Sequence, residues 1–144
     1  MFKTIVWATD GSESADAALP YAKSLAVQNG AALVVVHAVE HIVGRGGGYL
    51  HVNEDELQAK IERQTAELKE AGLDVRSKAV SGAATGAAHM IADVAREVGA
   101  DVIVVGTRGH TALAGLLVGS VTQRLLHVAP CPVLAVPASV QPNG

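Results

Sequence analysis

Hydrophobic residues in this chain come in short unbroken runs, separated by longer segments with a helical period. The runs are Thr4–Thr9 (TIVWAT), residues 32–39 (ALVVVHAV), residues 75–80 (VRSKAV), residues 102–105 (VIVV) and Val133–Val136 (VLAV). Four are near-continuous and rich in Val or Ile, as expected of a parallel strand buried on both faces. The third alternates, with Val75, Ser77 and Ala79 set against Arg76, Lys78 and Val80. That pattern predicts a strand at the edge of a sheet.

Helical spacing fills the gaps. Ala18, Leu19, Ala22, Leu25 and Ala26 fall on one face, and Gly30 supplies a stop. Pro20 interrupts this stretch and is tolerable in the first turn or so of a helix, where its missing N–H has no helical partner. A second helix is expected to open at Asn53, with Glu56 in a variant of the capping box, a thin stripe of Leu57, Ile61 and Leu68, and Gly72 at its end. The third places Ala87, Met90, Ile91, Val94, Ala95 and Val98 on one face before Gly99. The last runs from about Ser120 to Val128 and is ended by Pro130 and Pro132.

Strand and helix thus alternate along the whole chain, which predicts an α/β fold with one doubly wound parallel sheet and helices on both faces. No shift in composition marks a second domain. The reading is one domain over residues 1–138 with a loose tail at 139–144. Residues 40–52 (EHIVGRGGGYLHV) read as a long Gly-rich connection, either a lid bearing Arg45 or a mobile loop, the mobile loop being preferred.

Composition narrows the function. The chain has 144 residues, 49% hydrophobic and 17% charged, so it can bury a core and is not of disordered type. Aromatics are 3%, which leaves Ala, Val, Leu and Ile to build that core. A net charge of −3 gives no footprint for nucleic acid. The single cysteine, Cys131, rules out an internal disulfide and reads as a packing residue. No run approaches the roughly 18 apolar residues of a membrane span, and the N-terminus is unlike a signal peptide, so a soluble cytoplasmic protein is expected.

In an open parallel sheet, ligands bind beyond the carboxyl ends of the strands, where the strand order reverses. For the order 3-2-1-4-5, assumed here among several doubly wound orders, that point lies between the first and fourth strands. Their ends are Thr9, Asp10 and Gly11 on one side and Gly106, Thr107, Arg108 and Gly109 on the other. The second set opens the stretch GTRGHTALAGLLVGS, which ends at Gly119 and Ser120, where the last helix begins. Glycines allow the backbone to approach a phosphate, and a helix N-terminus adds unpaired N–H groups and the positive end of a dipole. Ser120 could cap that helix or donate to an anion. Nine residues lie between Gly109 and Gly119, enough for an arm that folds over a ligand. Glycine is common at such turns, so the spacing alone leaves a cradle and a plain connection both open. The chain has no P-loop pattern and no G-x-G-x-x-G after the first strand.

Other residues have bland readings beside functional ones. Asp10 could instead cap the first helix or make an Asx-turn, and both roles are compatible with ligand binding because a carboxylate has two oxygens. Arg108 and His110 read as exposed arm residues, His37 as a hydrogen-bonded core histidine and Trp7 as core. His41, His51, His89 and His127 show no metal-ligand spacing.

The glycine set G-x2-G-x9-G-[S/T], met by Gly106, Gly109, Gly119 and Ser120, resembles the signature of the universal stress protein family in its nucleotide-binding branch. The likeness extends to A-T-D-G-S (residues 8–12), V-V-V-H-A-V (34–39), G-T-R-G-H (106–110), L-L-V-G-S-V (116–121) and A-P-C-P-V-L-A-V (129–136), and is weakest over residues 40–72. It implies a Rossmann-like, adenine nucleotide alpha hydrolase-like sheet of order 3-2-1-4-5. It also implies ATP or a related adenine nucleotide as ligand, with Mg2+. By the same resemblance Ala8 and Thr9 flank the base, Asp10 meets ribose or a phosphate-bound metal, and Ala38 contacts adenine through its backbone. Gly106 lies against ribose and phosphates, and Gly109, Gly119, Ser120 and Val121 around the phosphates. Apart from the resemblance, Thr107 could add a hydroxyl near the ligand, and Arg108, the one cation of the motif, could neutralise phosphate as the alternative to an exposed arm residue. A homodimer through the last strand, between Pro132 and Val136, is implied as well.

Three functions follow as expectations: a nucleotide-responsive regulatory protein in stress response, a slow ATP hydrolase, or a dimerising module that works without nucleotide or with AMP or cyclic AMP. The motif fixes no lysine, second carboxylate or glutamine for γ-phosphate chemistry, so the first is preferred over an enzyme.

Overall fold

The computed structural model describes residues 1–41, 54–83, 86–107 and 119–137. In chain order the elements are β1 (Thr4–Thr9), α1 (Glu13–Asn29), β2 (Ala32–His41), α2 (Glu54–Glu70), β3 (Val75–Ala83), α3 (Ala87–Val98), β4 (Val102–Gly106), α4 (Ser120–Val128) and β5 (Val133–Val136). The strands form one parallel sheet in the order β3-β2-β1-β4-β5. The alternating run is indeed an edge strand.

Alternation along each strand divides the core into two layers. Ile5, Trp7, Leu33, Val35 and Val104 point to one face and pack with Ala18, Ala22 and Ala26 of α1 and Ile61 and Leu68 of α2. Val6, Ala8, Val34, Val36, Ile103 and Val105 point to the other and pack with Ala88, Ile91, Val94 and Ala95 of α3 and Leu125 of α4. Small alanines on α1 and α3 let these helices lie close to the sheet, as a core poor in aromatics requires.

Two expectations need correction. β2 runs on to His41, into the stretch expected to be a connection, and β3 runs on to Ala83. The two extensions pair with each other, Val39 with Ser81, Glu40 with Gly82 and His41 with Ala83, so each strand supplies the ladder that prolongs its neighbour. Pro20 is not in the first turn of α1 but is its eighth residue. It lies on the exposed side of the helix, where water can reach the Asp16 carbonyl that loses its donor. A buried donor acts nearby, because Trp7 Nε1 bonds the Ala15 carbonyl at 3.0 Å. At the start of α1 the cap left open between Asp10 and an Asx-turn falls to Ser12, whose Oγ accepts from Ala15 N–H at 3.3 Å. The Asn53 cap, the lid or loop at 42–52 and the tail at 139–144 lie outside the described residues.

Candidate functional site

The sheet parts at the carboxyl ends of its central strands. β1 and β4 pair from Ile5 and Val102 to Trp7 and Val104. Beyond that, β1 stays with β2 as far as Thr9 and His37, while β4 stays with β5 as far as Gly106 and Val136. The last two residues of each central strand are thus paired on their outer sides. This is the crevice expected of a strand-order reversal, with helices α1 and α2 on one side of the sheet and α3 and α4 on the other.

On the β1 side, Ala8 and Thr9 are buried and Asp10 half-buried. A tight turn follows. Gly11 has φ of 82°, a left-handed conformation that side chains disfavour, and its N–H donates to Thr9 Oγ1 at 3.0 Å. Ser12 N–H donates to Asp10 Oδ1 at 2.9 Å. Asp10 therefore makes the Asx-turn considered from sequence, and the turn holds its carboxylate at the mouth of the crevice.

On the β4 side the chain is tied to its neighbours by backbone. Thr107 N–H donates to Val136 O at 3.2 Å, and Thr107 O accepts from Gly119 N–H at 2.5 Å. The buried Thr122 hydroxyl, in the first turn of α4, donates to Gly106 O at 2.8 Å. These bonds dock the N-terminus of α4 onto the end of β4. Gly119 is the N-cap residue and carries no side chain to close the helix. Its own carbonyl accepts the first helical bond, from Gln123 N–H, so the first-turn N–H groups of Ser120, Val121 and Thr122 have no acceptor within α4. Ser120 is exposed at the first helical position, so it does not cap the helix as considered from sequence. The N-cap of α3, Gly86, also lacks a side-chain bond, but that helix follows the edge strand β3.

The structure thus brings together Ala8, Thr9, Asp10, Gly106, Thr107, Gly119 and the start of α4. Ala38 lies near the end of β2, half-buried on the same face as Ala8, with its side chain against the second core layer. Val121 packs its side chain into that layer too, which leaves its N–H as the group it can offer a ligand. Arg108, Gly109 and the arm to Gly119 lie outside the described residues.

Two contributors were missed from sequence. Thr122 was not singled out, although a hydroxyl in the first turn of a helix is a signal for a local backbone bond. Lys60 of α2 reaches the Gly11 carbonyl, a long-range contact that no local pattern announces. Cys131 packs against the second core layer, and burial pushes its thiol up from the ordinary value, with Asp101 adding to the effect. Among the described residues, no group of three or more His, Cys, Asp or Glu could hold a metal, and no helix is long and apolar enough to cross a membrane.

The comparisons with known proteins agree with this architecture. The model of the universal stress protein family matches residues 1–137, and the chain belongs to that family. A universal stress protein of Thermus aquaticus is 38% identical over 94% of this chain and 99% of its own. A universal stress protein solved in complex with cAMP superposes with a TM-score of 0.69 at 29% identity, covering 96% of this chain and 98% of that one. The universal stress protein from Archaeoglobus fulgidus in complex with dAMP gives 0.64 at 25% identity, covering 94% and 98%.

Proposed function

We propose that the protein binds an adenine nucleotide, with ATP as the preferred ligand, in the crevice between β1 and β4, and acts as a nucleotide-responsive regulatory protein. The observation that carries this reading is Gly119. Its φ of −69° is open to any residue, and Ser or Asp would cap α4 better. Glycine there puts no capping side chain over the first-turn N–H groups of α4, which favours the approach of a phosphate. Asp10, oriented across the crevice by Ser12 N–H, suits a ribose hydroxyl or a magnesium ion carried by the phosphates. The relatives solved with cAMP and dAMP support adenine as the base.

The same reading makes the protein a holder of nucleotide more than a consumer. Rapid hydrolysis needs an oriented water and strong charge stabilisation at the γ-phosphate, and Asp10 is the acid that the central strands present. A phosphate-release assay with Asp10→Ala as control separates the two. Calorimetric titration with ATP, AMP and cAMP ranks the ligands.

A homodimer through β5 is part of the proposal. β5 ends the sheet, Leu134 on it is 37% exposed, and Leu126 of α4 is 57% exposed. A short apolar edge strand of this kind favours pairing with a second copy.

A further inference from the structure

We propose that Lys60 of α2 is a positioning residue for the crevice, fixing the turn that carries Asp10. This rests on the nucleotide reading above and adds a residue from an element outside the motif.

Lys60 Nζ donates to the Gly11 carbonyl at 2.9 Å and to Asp16 Oδ2 at 2.6 Å. Gln64 Nε2, one helical turn further along α2, donates to Asp16 Oδ1 at 3.0 Å. Both Asp16 oxygens are therefore engaged, and the Lys60 ammonium is held between the two acceptors. The pair is partly shielded, with side chains 31% and 34% exposed, so it is less screened than an open surface pair. Leu57, one turn earlier, covers Gly11: a Cβ there would lie 3.4 Å from Leu57 Cγ and closer still to Cδ2. α2 thus grips the turn with an apolar and a charged contact side by side.

The link to ligand binding is covalent geometry. The Gly11 carbonyl and the Ser12 N–H are the two ends of one planar peptide unit. Lys60 holds the carbonyl end, and Asp10 Oδ1 accepts from the N–H end at 2.9 Å. Rotation of that plane turns the Asp10 carboxylate away, and an ammonium on the carbonyl restrains it. The same charge polarises the peptide and strengthens the bond that orients Asp10. A lysine that never touches the nucleotide therefore sets the angle at which Asp10 meets it.

The test compares Lys60→Met, which keeps the apolar stem, with Lys60→Arg, which keeps a donor for both acceptors. Calorimetric titration with ATP and AMP is read beside the NMR signal of the Ser12 amide. The expected result is affinity weaker by about fivefold to twentyfold in Lys60→Met, less than the full worth of a charge-assisted hydrogen bond because Lys60 acts through the turn, with recovery in Lys60→Arg. The Ser12 amide proton shifts upfield in the Met variant and returns in the Arg variant. An unchanged Ser12 amide in Lys60→Met overturns the proposal, and so does unchanged affinity in a protein whose wild type binds. If the wild type binds no adenine nucleotide, the functional reading fails by itself, and the Ser12 amide still decides whether Lys60 fixes the turn.

Discussion

Gly106, the last residue of β4, packs directly against Ser14 in the first turn of α1. A Cβ built at position 106 would lie 2.6 Å from the Ser14 carbonyl carbon and nearer still to its carbonyl oxygen and Oγ. The first glycine of the motif is thus required by the fold itself, before any ligand is considered. Gly106→Ala must push α1 away from the sheet. We expect a loss of about 1–3 kcal/mol of stability, measured by urea unfolding.

Gly119 differs from Gly106, and the difference is testable. Its backbone is ordinary, so Gly119→Asp gives α4 a better cap at no conformational cost. Stability should stay level or rise by a few tenths of a kcal/mol. Nucleotide affinity should fall at least about tenfold, because a carboxylate would occupy the approach of the phosphates and repel them. Thermal unfolding and calorimetry on the same sample check the opposite signs. Equal affinity in the variant removes α4 from the site.

Much of the fold was legible because periodicity and strand polarity are local signals. The Val-rich runs gave the buried strands, the alternation of residues 75–80 gave the edge, and Ser120 to Val128 matched α4. The extension of β2 to His41 was not legible, because it depends on β3 running beside it. Pro20 was misplaced because a helix tolerates proline on its exposed side, and sequence does not state which side faces water. In the site, Asp10, Gly106 and Gly119 could be placed from the strand ends and the motif. The helix start at Gly119 was legible too, whereas the positive φ of Gly11 and the close packing of Gly106 on Ser14 appear only in three dimensions.

Asp101 sits just before β4, at the opposite end of the sheet from the crevice, and staples β4 to the start of β1. Its Oδ2 accepts from Lys3 N–H at 2.7 Å and Thr4 N–H at 3.0 Å, and its own N–H donates to Thr4 O at 2.8 Å. The bonds from Lys3 and then Thr4 hold its carboxyl below the ordinary value. The folded state therefore prefers the ionised form. This stability is complete above the ordinary carboxylate range and is lost as pH falls through the lowered folded value. Asp101→Asn should unfold earlier than wild type at neutral pH. The gap in midpoint should close as the pH is taken into the acid range, as followed by thermal scans across pH.

The edge strand carries the proposed dimer. Leu134→Arg places a charge on the exposed apolar position of β5 without touching the crevice. Sedimentation should show a monomer where the wild type is a dimer, with the far-UV spectrum unchanged. A wild type that sediments as a monomer contradicts this part of the account.

The central claim is that the crevice between Asp10 and the start of α4 holds an adenine nucleotide. Its most direct test is to denature the purified protein, identify the released small molecules by mass spectrometry, and titrate the refolded chain with ATP. The account predicts release of an adenine nucleotide, or saturable binding of ATP at about one per chain. No nucleotide released, and none bound at millimolar concentration, would contradict it.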